Sequence, residues 1–210
     1  MSNETLEALC AHRVIPVVPA LASEDTLALA SALKDGGLPV LEMTLRSENA
    51  LELLRALAGD VDLLVGAGTV IRPEQVDQAL DAGARFVVTP GVSPAVLVRC
   101  RELGMPVIPG VATATEVIAA LDHGIQVLKL FPAEASGGIA MLKALAAPFP
   151  EVRFVPTGGV SAENLESYLR LPAVKAVGGS WMVAPALQGD FAAVARLTAE
   201  AVSVAAEARR

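Results

Sequence analysis

Eight short apolar runs, spread along the whole chain and separated by amphipathic stretches, constrain this sequence more than any other feature. They are Val14–Val18, Val40–Thr44, Leu63–Ala67, Phe86–Thr89, Val107–Pro109, Val127–Phe131, Phe154–Pro156 and Val174–Val177. Most are rich in Val, Ile and Leu, the composition of parallel strands covered on both faces. Several end in Gly, Pro or Thr, which turn the chain. Between the runs, Ala50, Leu53, Leu54 and Leu57 form the i, i+3, i+4, i+7 stripe of a half-buried helix. Ser93-Pro94 reads as an N-cap followed by proline at the first helical position, and Thr113 to Glu116 has capping-box spacing. Glu4–Cys10 reads as a short extra helix before the first strand, and Asp190–Glu207 as the last helix.

An internal echo supports the same unit count. The pattern apolar-x-x-Ala-Leu-x-x-Gly begins at Leu29, Val76 and Val117, and a looser copy begins at Leu165, with Tyr168 in place of Ala and Pro172 in place of Gly. These read as the first, third, fifth and seventh helices of the alternating units. Any amphipathic helix that ends in glycine would also fit the pattern. Eight strand–helix units predict an α/β fold, a small (β/α)8 TIM barrel. A doubly wound open sheet is the runner-up. A chain of 210 residues, 53% hydrophobic, can bury one substantial core but is short for two. No linker or composition shift divides it, so residues 1–210 are expected to form a single barrel domain.

Charge and composition remove several function classes. Acidic residues outnumber basic ones, 23 against 16, for a formal charge of −7. Neither nucleic acid nor an anionic membrane surface is an expected partner. Cys10 and Cys100 form no CxxC pair, and with His12 and His123 they show no metal-ligand spacing, so no metal is expected. The polar start, Met-Ser-Asn-Glu-Thr, is unlike a secretory signal, and no apolar run approaches the ~18 residues of a membrane span. The expectation is a cytoplasmic protein.

In a (β/α)8 barrel, function gathers at the C-terminal ends of the strands. The second strand ends Leu-Glu-Met-Thr-Leu-Arg, and alternation puts Glu42, Thr44 and Arg46 on one side. A structural ion pair at a strand end is the plainer reading of that carboxylate and guanidinium. The third strand ends in Gly66-Ala67-Gly68-Thr69, where the glycines fit close backbone approach and Thr69 fits a helix cap. Lys129, between Leu128 and Leu130, has the most apolar setting of the lysines. Desolvation disfavours a charged amine and favours a nucleophilic one, able to form a Schiff base with a ketone. Lys34 and Lys143 lie in helical stretches; Lys175, in the eighth apolar run, is the competitor. Glu134 follows Lys129 in the next loop, with capping or a surface position as its plain reading. The last two strands end in Thr157-Gly158-Gly159 and Gly178-Gly179-Ser180, where glycine pairs suit a phosphate or merely tight turns. Neither is a P-loop.

Together these pieces resemble a known family. Glu-Met-Thr-Leu-Arg at 42–46, Gly-Ala-Gly-Thr-Val at 66–70, Thr-Pro-Gly at 89–91, Lys-Leu-Phe-Pro-Ala-Glu at 129–134, Pro-Thr-Gly-Gly-Val at 156–160 and Gly-Gly-Ser-Trp-Met at 178–182 occur in the order found in the class I aldolases for 2-keto-3-deoxy-6-phosphogluconate (KDPG) and 4-hydroxy-2-oxoglutarate (KHG). The resemblance covers nearly the whole chain. Thr89 stands where the family often has Ser, and Ala114 where it often has Pro; neither is at a catalytic position. The resemblance implies that Lys129 is the Schiff-base lysine and Glu42 the general acid/base. It implies that Arg46 and Thr69 hold the pyruvate carboxylate, that Thr157 lies near the substrate hydroxyl, and that Gly158, Gly159, Gly179 and Ser180 bind phosphate. A phosphorylated 2-keto acid substrate, no cofactor and a homotrimer follow from the same likeness. A sibling aldolase for the 4-epimeric phosphogalactonate substrate, a phosphate-binding isomerase or epimerase, and a barrel that only binds phosphorylated ligands are the alternatives.

Overall fold

The computed structural model describes residues 2–208, with residues 2 and 3 in backbone only. Helix α1 (Ser2–Ala11) comes first, and strands and helices then alternate. The order is β1 (Val14–Val18), α2 (Ser23–Asp35), β2 (Val40–Thr44), α3 (Ala50–Ala58), β3 (Leu64–Gly68), α4 (Pro73–Asp81), β4 (Val87–Val88) and α5 (Pro94–Glu102). It continues β5 (Val107–Ile108), β6 (Gly110–Val111), α6 (Ala114–Asp122), β7 (Val127–Leu130), α7 (Gly138–Ala146), β8 (Arg153–Pro156), α8 (Leu165–Leu169) and β9 (Val177–Gly179). A 3-10 turn at Ala184–Gln188 leads into α9 (Phe191–Glu207).

Every strand pairing is parallel. One sheet runs β5-β4-β3-β2-β1-β9 and a second runs β6-β7-β8. Isolated parallel bridges, Phe154 to Val174 and Thr157 to Gly178, join β8 to the segment that leads into and through β9. The fifth apolar run, Val107–Pro109, holds only β5, and a second short strand, β6, follows it at Gly110–Val111. β5 pairs with β4 in one sheet, and β6 pairs with β7 in the other. Pro109 stands between them, without an N–H for the ladder, while its carbonyl accepts from the Lys129 amide at 2.8 Å. The last strand is also displaced from its apolar run. It covers Val177–Gly179, and its glycines belong to the ladder, with Ile15 opposite Gly178 and Pro16 opposite Gly179. Thr157 and the Trp181 ring fill the space that Cβ atoms would take at those two glycines.

The helices follow their sequence signals closely. Ala50, Leu53, Leu54 and Leu57 are all buried on α3. The four echo copies fall in α2, α4, α6 and α8, and Leu29, Val76, Val117 and Leu165 are buried in each. Pro94 opens α5 at its first turn. At α6 the Glu116 amide donates to Thr113 Oγ1 at 3.3 Å, and the Thr113 amide donates to Glu116 Oε2 at 2.9 Å, which completes the capping box. At α9 the Asp190 side chain accepts from the Ala193 amide at 3.0 Å. Among the described residues, no helix is long and apolar enough to cross a membrane.

The capping box gives a clean stability test. Thr113→Ala removes one partner of an exposed N-terminal amide without touching the core. It is expected to lower unfolding stability by ~1 kcal/mol in a denaturant titration, with the slope unchanged.

Candidate active site

Because all strands are parallel, their C-terminal ends share one side of the molecule, and the sequence-selected residues collect there. Glu42 is the third residue of β2 and Lys129 the third of β7. They come from different sheets, yet Lys129 Nζ lies 3.4 Å from Glu42 Oε1. Lys129 is 6% exposed and Glu42 3%, and among the described residues these are the only charged side chains that are buried. Taking both from water is costly, and a well-packed apolar pair would often be at least as stable. The Phe131 ring, two residues on from Lys129, closes over the amine with its centroid 5.1 Å from Nζ, within cation–π range. Phe131 lies two residues from Lys129, so strand alternation in the sequence carried a signal for it.

The glycines around the pair are spacers. A Cβ at Gly68 would sit 2.2 Å from Glu42 Oε1, and one at Gly66 would strike the Phe86 ring. At both glycines a side chain rather than backbone makes the close approach, and at Gly68 it is the Glu42 carboxylate. Thr69 follows with φ +60, a left-handed backbone that is costly for a β-branched residue. It does not cap the next helix, whose N-cap position is Arg72.

Arg46 lies beyond the end of β2 and is exposed. Its Nε donates to Thr44 Oγ1 at 3.3 Å, and that hydroxyl donates to the Val18 carbonyl at 3.1 Å. The Leu45 amide donates to the Gly68 carbonyl at 2.8 Å, so Arg46 and Thr69 follow directly on two hydrogen-bonded residues. Among the described residues, no hydrogen bond joins Arg46 to the Lys129–Glu42 pair. A cationic guanidinium and a strained threonine thus edge the site on one side.

The glycine-pair loops edge the other. Thr157 is buried, and its hydroxyl donates to the Val155 carbonyl at 3.3 Å. The bridge from Thr157 to Gly178 sets the two loops side by side. The loops differ in kind. Gly158 and Gly159 have φ +94 and +85, a left-handed turn that glycine adopts without strain, whereas Gly178 and Gly179 are strand residues followed by exposed Ser180. Glu134, in the loop after β7, is exposed, as the plain reading has it, and is also held by hydrogen bonds. Its amide donates to the Gly158 carbonyl at 3.0 Å, and its Oε1 accepts a short hydrogen bond from Tyr168 Oη.

Lys175 lies at the opposite end. It forms an ion pair with Glu7 of α1 at 2.8 Å beside a cavity of about 650 Å³ that Arg101, His123 and Arg153 also line. That end carries neither Lys129 nor Glu42. Among the described residues, no cluster of three or more His, Cys, Asp or Glu side chains could hold a metal ion. Burial pushes the Cys10 thiol up to about 11, with Lys175 opposing, and the Cys100 thiol up to about 12. Both therefore stay protonated at neutral pH and are unsuited to nucleophilic chemistry.

The chain matches the family model "Aldolase: KDPG and KHG aldolase" over residues 6–197. A 2-dehydro-3-deoxy-phosphogluconate aldolase of Treponema pallidum is 49% identical over 202 residues, which cover 94% of this chain and 96% of that protein. The crystal structure of KDPG aldolase from Legionella pneumophila, with pyruvate captured at low pH as a covalent carbinolamine intermediate, is similar with a TM-score of 0.89 and 43% identity, over 92% of this chain and 96% of that one. The KDPG aldolase of Zymomonas mobilis with 3-phosphoglycerate is similar with a TM-score of 0.93 and 37% identity, over 97% of each chain.

The raised thiols generate a direct test. A thiol-specific disulfide reagent at about pH 8 should label neither cysteine quickly in the folded protein, and both after unfolding in guanidinium. A fast-labelling thiol in the native protein would contradict the burial described here.

Proposed function

The chain belongs to the KDPG and KHG aldolase family, and from that premise we propose that it cleaves KDPG to pyruvate and glyceraldehyde 3-phosphate through a Schiff base on Lys129. KHG, cleaved to pyruvate and glyoxylate, is the accompanying substrate. The observation that carries the reading is the buried Lys129–Glu42 contact at 3.4 Å. A lysine and a carboxylate this close and this dry can pass a proton without bulk water.

The chemistry runs in order. Neutral Lys129 Nζ attacks the C2 ketone, and a proton reaches the oxygen to give a carbinolamine. Glu42 donates a proton to that hydroxyl, water leaves, and a protonated imine remains. A base, Glu42 in this reading, takes the C4 hydroxyl proton. The C3–C4 electron pair flows into the imine, the aldehyde departs, and an enamine is left. Protonation at C3 gives the imine of pyruvate, and water returns to free both pyruvate and the amine. The imine supplies the electron sink throughout. Arg46 and Thr69 hold the carboxylate of the pyruvate half. Thr157 faces the hydroxyl end, and Gly158, Gly159, Gly179 and Ser180 receive the phosphate. The left-handed turn at Gly158 and Gly159 supports this last role, because backbone N–H groups can then converge on an anion.

The same reading takes the strands as one closed (β/α)8 barrel in a single domain, with β5 and β6 as one strand interrupted at Pro109. The bridges between β8 and the β9 segment support closure. The expected cytoplasmic homotrimer would cover part of the exposed apolar surface, to which Leu27, Ile71, Ile118 and Leu187 contribute.

Reduction with borohydride in the presence of pyruvate is expected to add mass to the peptide that carries Lys129 and to none other. Lys129→Ala should abolish both trapping and turnover, while Lys175→Ala retains them. Label on Lys175, or no label, refutes the assignment. Glu42→Gln should lower kcat by about 10²- to 10⁴-fold while the protein stays folded. Relative turnover of KDPG, its 4-epimer and KHG ranks the substrates.

A further inference from the structure

The proposed mechanism leaves Glu134 and Tyr168 without a part; Glu134 touches the proposed phosphate loops, and Tyr168 touches Glu134. Glu134 is bound to that region at three points. Its amide donates to the Gly158 carbonyl at 3.0 Å, the amide of neighbouring Ala133 donates to the Thr157 carbonyl at 2.8 Å, and its own Cβ and Cγ fill the space beside Gly159, where a Cβ would meet them at 2.5 and 2.6 Å. The stem of an acidic side chain is thus packed against the loop that is read as an anion site, where its charge would oppose the ligand. Tyr168 is the side chain that engages it, through a short Oη–Oε1 hydrogen bond.

The sequence echo marks Tyr168 as the departure. In the other three copies the equivalent position is Ala32, Ala79 or Ala120, each buried and small. In α8 the position carries a fully buried tyrosine whose hydroxyl reaches the loop after β7. Burial, with the Glu134 carboxylate beside it, raises the Tyr168 hydroxyl above the ordinary phenol range, so it remains a donor at working pH. Gly138 preserves the arrangement, since a Cβ there would lie 3.0 Å from Glu134 Oε1 and 3.4 Å from Tyr168 Oη.

The geometry points to Tyr168 and Glu134 as a positioning pair for substrate phosphate: the Tyr168 hydroxyl holds the Glu134 carboxylate away from the Gly158–Gly159 turn, so that the backbone of that turn is free for the anion. This rests on the phosphate reading above and adds a specificity role that Lys129 and Glu42 do not share. The pair acts at the phosphate end alone. Removing the hydroxyl frees a negative charge beside the phosphate, whereas removing charge and hydroxyl together does not.

Steady-state cleavage of KDPG by wild type, Tyr168→Phe, Glu134→Gln and the double variant tests it. Pyruvate half-saturation in borohydride trapping serves as the phosphate-free reference. Tyr168→Phe should raise KM for KDPG about 3- to 10-fold with kcat within about twofold. Pyruvate half-saturation should stay unchanged in all four proteins. Glu134→Gln, which keeps an acceptor for Tyr168, should leave KM at or below the wild-type value. The double variant should recover KM to within about twofold of wild type. Equal losses toward KDPG and pyruvate, a double variant no better than Tyr168→Phe, or four indistinguishable proteins would overturn the pair's role while leaving the lysine chemistry intact. A wild-type enzyme that traps pyruvate but does not cleave KDPG would instead refute the phosphorylated-substrate reading and this role with it.

Discussion

The contact between Lys129 and Glu42 is the constraint around which the rest of the structure is arranged. A lysine and a glutamate, 87 residues apart in sequence, are buried together at 3.4 Å. Such a pair contributes little to stability for the desolvation it requires. In the proposed reaction it supplies a reactive amine and a proton carrier in one dry space. Nearby features follow from it. Gly68 lacks a Cβ because Glu42 Oε1 occupies that volume, and Phe131 covers the amine.

Parallel strands solve the accompanying problem of orientation. Every strand points its C-terminal end to the same side, so loops distant in sequence edge one site. Arg46 and Thr69 follow β2 and β3, and Thr157 and Ser180 follow β8 and β9. In the proposed mode of binding, the substrate carboxylate meets a guanidinium at one edge and the phosphate meets glycine-rich backbone at the other. The opposite end carries Lys175, ion-paired with Glu7, and takes no part in the proposed reaction.

Much of this was legible beforehand because local rules were obeyed. The α3 stripe, the proline opening α5 and the capping box of α6 are interactions within a few residues, which spacing reports directly. An isolated lysine between leucines also reads correctly, because hydrophobic neighbours on a strand predict burial. The errors share one physical cause. The fifth strand goes on past Pro109: Gly110 and Val111, beyond the Val107–Pro109 run, pair with β7, while Val107 and Ile108 pair with β4. The last strand runs from Val177 through Gly178 and Gly179, later than the apolar run Val174–Val177. The two glycines are strand residues whose missing side chains make room for Thr157 and Trp181. Glu134 is exposed, as its plain reading has it, but its partner Tyr168, 34 residues away, lies beyond the reach of local spacing.

Sequence alone determined the alternation of strand and helix, the helix caps, the buried lysine and the residue types that edge the site. Those depend on propensity, periodicity and hydrophobicity, all properties of short segments. Only the tertiary structure decided that Glu42 meets Lys129, that Gly68 yields its volume to a carboxylate, and that Tyr168 holds Glu134. Each of these is a contact between distant segments, fixed by how whole strands and helices pack, and no local pattern carries that distance.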